Sequence, residues 1–191
     1  VIDGRFIVLM SRHRGCGFVH RFGHERQRYI AHYCRAVTST STPVSRDDLD
    51  PWRLPRHVLP RRYDLRLEPD LVGATFGGRV EISVDVISAT RLIVLNAAEL
   101  DIISVHVDGL PAPFALDDEN ERLHIGTIEE LAPGPAMIDI VFTGTLNDKL
   151  RGFYRSTYRD SAGIERVVAA SQMQSTDCRR AFPCFDEPDF K

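Results

Sequence analysis

"RVEISVDV", Arg79 to Val86, decides the fold, because its apolar and polar residues alternate without a break. Val80, Ile82, Val84 and Val86 fall on one face and Arg79, Glu81, Ser83 and Asp85 on the other, the period of a strand with one side buried. Upstream, "YDLRL" repeats the pattern with Tyr63, Leu65 and Leu67. Downstream, "LIVL" (92–95), "IISVHV" (102–107), "RLHI" (122–125) and "MIDIVF" (137–142) continue it. The punctuation is turn chemistry: Asp108-Gly109 signals a hairpin, Asp117 to Asn120 a loop, and Pro133-Gly134 a turn. No segment sustains helical periodicity; "IEELA" (128–132) is expected to make one helical turn at most. Strands recurring at short intervals predict an all-β, antiparallel domain from Trp52 onward.

Residues 1–50 have a different texture, with Arg, His and Gly but no sustained period, ending in "TSTSTPVSRDDLD". Thiolate and imidazole are zinc ligands, yet Cys16, His20, His24, His32 and Cys34 match no pair-and-pair finger spacing. A disordered leader, or a start site placed too far upstream, is the better reading. Residues 1–46 carry eight Arg against Asp3 and Glu25, so with a net charge of −3 the remainder is about −9. The basic part is short and sparse in aromatics, which argues against nucleic acid as a partner. The apolar run Phe6 to Met10 is too short for a membrane span or a signal peptide, so the chain reads as cytoplasmic. Without a secretory signal, Cys16, Cys34, Cys178 and Cys184 are not expected to form a disulfide framework.

Candidate chemistry gathers in "ERVVAASQMQSTDCRRAFPCFDEPDFK" (165–191). Asp160 to Gly163 reads as a turn into a strand along which Gln172 and Gln174 are two apart, so their amides would share a face. Amides so placed can donate and accept at fixed points, which suits a peptide end; two solvent-facing polar residues are the plainer alternative. Arg179 and Arg180, near Asp186, Glu187 and Asp189, either brace a loop by bidentate pairing or are solvated surface. Pro183 and Pro188 fix φ at two points around Cys184, giving a stiff segment that cannot be a helix interior. The chain contains no HExxH, GxSxG, phosphate-cradling loop or CxxC, and His57, His106 and His124 stand isolated in turns and strands.

"QMQSTDCRRAFPCFDEPDFK" resembles the segment Q-x-[QE]-x-x-x-x-R-x-x-x-P-C-x-D-E-P of the M1 zinc aminopeptidases (gluzincins, the aminopeptidase N family). "LPRHVLPRRYDLRLEPDL", "TFGGRVEISVDV", "LNAAEL" and "LNDKLRGFYRSTY" support it in the same order, so it runs from about Trp52 to Lys191. The resemblance implies the twisted, saddle-like N-terminal β domain of an enzyme that removes the first residue of a peptide. It also implies zinc and a catalytic domain carrying GxMEN and HExxH, neither of which this chain contains. By position, Gln172 matches a residue lining the substrate site and Gln174 one that helps bind the peptide's α-amine, with Gln in place of the Glu of some relatives. Arg179, Pro183, Cys184, Asp186, Glu187 and Pro188 match positions that look structural. The implied partners are peptides, held by their N-terminus, and the family's catalytic domain. On the family's pattern, 52–191 is an incomplete β domain and inactive alone. A non-catalytic scaffold built on the same fold, or a free-standing β-sandwich binding module, is the alternative.

Overall fold

The structure, a computed structural model, describes residues 53–190. Residues 1–50, with the Cys/His reading placed on them, lie outside the described residues, as do Trp52 and Lys191. Ten strands follow in chain order: β1 (Val58–Asp70), β2 (Thr75–Val86), β3 (Thr90–Asn96), β4 (Leu100–Val107), β5 (Leu110–Pro111), β6 (Phe114–Asp117), β7 (Arg122–Leu131), β8 (Gly134–Thr145), β9 (Gly152–Arg159) and β10 (Glu165–Gln172). Each period-2 segment of the sequence falls within one of them. All pairings between strands are antiparallel, so the domain is all-β as expected.

The largest sheet has the order β1-β2-β8-β4-β5, and a second has the order β3-β7-β6. In the first, Tyr63 stands opposite Ile82 and Leu65 opposite Val80, and β8 adds Ile138 opposite Ile82 and Ile140 opposite Val80. In the second, Ile93 stands opposite Ile125 and Leu95 opposite Leu123. Side chains from both sheets share one buried cluster, as in a sandwich. The polar face of β2 joins its neighbours through ion pairs, with the Arg79 guanidinium held by both oxygens of Asp139 (2.9 and 2.9 Å). The Asp108-Gly109 turn takes positive φ at both residues (49° and 78°), as a two-residue hairpin requires, and Val107 pairs with Leu110.

"IEELA" departs from the expected helical turn. Thr90 pairs with Leu131 and Leu92 with Gly126, so residues 127–130 bulge out of β7 without leaving the strand. One isolated helical turn would fix several dihedrals for a single hydrogen bond, whereas the ladder on β3 was already available.

His124 lies on β7 with its side chain 28% exposed and Nε2 4.0 Å from Asp117 Oδ2. Burial lowers its affinity for a proton and Arg122 adds to this, so that even with Asp117 beside it the pKa falls below its ordinary 6.5. The unfolded chain therefore binds this proton more readily than the folded one. The resulting stability is present above pH 6.5 and is lost as pH falls from there toward the folded-state pKa. His124→Gln is expected to flatten that stretch of the urea-midpoint profile; an unchanged slope would show that His124 is not its source.

Candidate functional site

The β9–β10 hairpin carries the first candidate residues. Its turn is closed by Asp160, whose carboxylate accepts from the N–H groups of Ala162 and Ile164 (3.0 Å each) and pairs with Arg166 (3.0 Å). At the other end Phe153 enters the core, its ring 5.2 Å from that of Phe76 and edge-on at 85°. Gly152 stands opposite Gln172, the last residue of β10. It takes φ +67°, and a Cβ there would lie 2.7 Å from Arg180 Cβ, so only glycine lets the hairpin approach the segment beyond it.

The strand reading of "SQMQ" holds to Gln172 and not to Gln174. β10 ends at Gln172, and Gln174 opens a turn over residues 174–177, closed by the Asp177 N–H donating to the Met173 carbonyl (3.1 Å). The two glutamines are thus not successive residues of one strand face. Both side chains are exposed, one at a strand end and one on the adjoining turn. Turn chemistry of the "STD" run ended the ladder that simple alternation would have continued.

Behind them, residues 178–187 are anchored from several directions. Cys178–Arg180 form a 3-10 turn. Arg179 pairs through Nε with Asp186 (3.2 Å) and through Nη1 with Glu121 (3.2 Å). Arg180 reaches Glu99 (2.7 Å), Glu121 (2.5 Å) and Asp177 (3.0 Å). Burial opposes its charge, but Glu121 and Glu99 outweigh this and hold its pKa above the ordinary value. Glu99 and Glu121 both adopt positive φ (56° and 52°), uncommon for a non-glycine residue, in corners where their carboxylates meet the arginines.

"FPCFDEP" docks as an added strand step. Cys184 and Asn96 exchange backbone hydrogen bonds (2.8 and 3.0 Å), and the Asp186 N–H donates to the Asn96 side chain (3.3 Å). Pro183 is fully buried, and the Phe185 N–H donates to the Tyr63 hydroxyl (3.0 Å). Glu187, 5% exposed, accepts from the Leu54 backbone N–H and from Arg56 (2.9 Å). Arg56 also pairs with Asp189 (2.6 Å) and lies 4.4 Å from the centroid of the Phe190 ring. Pro188 starts a last 3-10 turn, Pro188–Phe190. The acids Asp186 and Glu187, which adjacency to arginine left open as solvated surface, are instead buried, Asp186 against Arg179 of the same segment and Glu187 against Leu54 and Arg56 far away in sequence. Asn96, Glu99, Glu121, Leu54 and Arg56 complete the brace. For Leu54, Arg56, Asn96 and Glu99 the only signal in the sequence was the "LPRH" and "LNAAEL" stretches, which carry no chemical motif of their own, and Glu121 lies in neither.

Among the described residues no three or more His, Cys, Asp and Glu side chains are grouped to hold a metal ion. His57 bonds Ser88 Oγ through Nδ1 (2.7 Å) and His106 sits on β4 opposite Asp139. The described residues therefore do not fit zinc. No helix among them is long and apolar enough to cross a membrane.

Fold and site together define an antiparallel β domain that presents two exposed amides on a braced edge and shows no catalytic set among its described residues. Residues 59–191 match the Peptidase M1 N-terminal domain family, so the chain belongs to the M1 aminopeptidase family through that domain. It is 47% identical over 142 residues to Aminopeptidase M1-D of Oryza sativa subsp. japonica, covering 73% of this chain and 16% of that protein. It is 44% identical over 148 residues to Aminopeptidase M1 of Arabidopsis thaliana (73% and 17%). With the Alanine/arginine aminopeptidase of Saccharomyces cerevisiae it shares 39% over 145 residues (72% and 17%). The chain thus spans about a sixth of the length of these relatives.

Proposed function

We propose that this domain forms one wall of the substrate site of a cytoplasmic zinc aminopeptidase, with Gln172 and Gln174 contacting the N-terminal end of the peptide. The observation that carries this reading is the contrast between the two exposed amides and the rigid frame beneath them. Gly152 and Arg180 fix the hairpin end that bears Gln172. The 174–177 turn is held between Met173 and Asp177, and Asp177 is itself paired with Arg180. Amide groups held on such a frame can bind without first losing much conformational freedom. The Gln174 carbonyl would accept a hydrogen bond from the peptide's ammonium group, and the Gln172 amide would orient the first residue. Neither group activates water or takes a proton. On this reading residues 52–191 bind and orient substrate, and zinc and the general base come from elsewhere in the enzyme, so the chain alone does not hydrolyse peptides.

The test is made in an aminopeptidase that contains this chain together with a zinc-bearing catalytic domain. Gln174→Ala is expected to lower kcat/KM for aminoacyl arylamides about five-fold, corresponding to a neutral hydrogen bond of about 1 kcal/mol. Gln174→Glu is expected to alter KM or residue preference through a charge-assisted contact, with zinc content unchanged in both variants. Loss of zinc, or unaltered kinetics in both, would remove Gln174 from the substrate site.

A further inference from the structure

Asp177 and Arg180 touch both of the segments that carry the glutamines. On the Gln174 side, the Asp177 N–H closes the 174–177 turn on the Met173 carbonyl (3.1 Å), and the Asp177 carboxylate accepts from Arg180 Nε (3.0 Å). The backbone ties the same pair again, the Arg180 N–H donating to the Asp177 carbonyl (3.1 Å). On the Gln172 side, a Cβ on Gly152 would lie 2.7 Å from Arg180 Cβ and 3.3 Å from the Asp177 carbonyl oxygen, so the hairpin end rests on these two residues. Arg151, the residue before Gly152, reaches the same Glu99 oxygen that accepts from Arg180 (3.3 and 2.7 Å). Arg180 is in turn gripped from outside the segment, since its other terminal nitrogen meets Glu121 (2.5 Å) and its side chain is 13% exposed.

We infer that Asp177 is a positioning residue for substrate binding: by tying the Gln174 turn to the Arg180 guanidinium, against which the Gln172 hairpin end also rests, it fixes how far apart the two amides stand. The inference rests on the reading of Gln172 and Gln174 as substrate contacts and gives Asp177 no contact with the peptide. A turn closed by one backbone hydrogen bond does little to fix a side chain at its first position. Anchoring its last position to an arginine held by two remote glutamates removes that freedom before the peptide arrives, so less is lost on binding. The contact that matters is the hydrogen bond to Arg180 Nε, because the Asp177 charge is already met by the guanidinium. A neutral oxygen at the same place therefore suffices, and this separates a positioning role from attraction between the carboxylate and the ammonium group of a peptide.

The experiment again uses an aminopeptidase that contains this chain together with a zinc-bearing catalytic domain, with an aminoacyl arylamide as substrate. Asp177→Ala is expected to raise KM up to about five-fold, the whole Gln174 contribution, while kcat changes less than about two-fold, since the weakened contact binds ground state and transition state alike. Asp177→Asn, whose amide oxygen still accepts from Arg180 Nε, is expected to bring KM back to within about two-fold of the unaltered enzyme. In a Gln174→Ala background, Asp177→Ala should have no further effect on kcat/KM, the mark of a residue that acts through another. Multiplying losses in the double variant would overturn the inference, because Asp177 would then act elsewhere. So would Asp177→Asn as impaired as Asp177→Ala, which would assign the effect to charge, or an unchanged KM in Asp177→Ala beside an impaired Gln174→Ala. Unaltered kinetics in both Gln174→Ala and Gln174→Glu would instead overturn the substrate reading itself, and this inference with it.

Discussion

Arg179→Ala is expected to destabilise the domain by about 3–5 kcal/mol, the cost of leaving a buried carboxylate without its partner. The Asp186 side chain is 1% exposed, and Arg179 is the cation that reaches it. The same guanidinium donates to the Asp186 carbonyl (3.3 Å) and to Glu121 (3.2 Å), so truncation undoes three attachments at once. Against a typical domain stability of about 5–15 kcal/mol this is a large fraction, and urea unfolding followed by circular dichroism would show it as a lowered midpoint. Asp186→Asn should cost less, because no buried charge is then left without a partner, Arg179 keeping Glu121. The reverse order of the two variants would mean that the brace is not organised around the buried Asp186 charge.

Phe142→Ala is expected to cost a similar amount, about 3–5 kcal/mol, through the cavity it opens. The Phe142 side chain is fully buried and meets Phe76 edge-on at 6.4 Å. Its ring also lies over Gly78, its partner across the β2–β8 ladder, where an added Cβ would come within 2.4 Å of it. Gly78→Ala alone should therefore be destabilising, yet in the Phe142→Ala background the methyl group would enter space already vacated. The double variant is expected to be more stable than the sum of the single effects by about 0.5–3 kcal/mol, the range seen for residues in contact. Strict additivity would show that ring and glycine do not share this space.

Both results concern residues whose importance differs in how far sequence could convey it. Phe142 sits in "MIDIVF", where alternation already placed it among inward-facing residues, since the period of a strand is local and is written into consecutive side chains. Arg179 and Asp186 are seven positions apart in a charged, proline-stiffened stretch that alternation does not describe. Their neighbourhood in sequence fits exposed surface as well as a buried brace. Burial of Asp186 and Glu187 depends on Asn96, Glu121, Leu54 and Arg56, none of which a local pattern can bring near. Gln174 shows the same limit from the other side: period 2 would have continued β10 through it, but the strand ends at Gln172 and a turn takes over.

By itself, then, the sequence determined the alternating strands β1, β2, β3, β4, β7 and β8 and most of β10, the inward faces of β1 and β2, the Asp108-Gly109 hairpin and, through its motifs, the resemblance to the M1 aminopeptidases, but not β5, β6 or β9. Only the tertiary structure decided that β8 lies between β2 and β4, that "IEEL" stays in a strand, and that the arginines and acids of the last segment tie distant parts of the chain together. The physical reason is range. Alternation and turn chemistry act between residues a few positions apart, whereas strand order and the burial of a charge are set by which remote groups arrive to complete a ladder or neutralise a carboxylate.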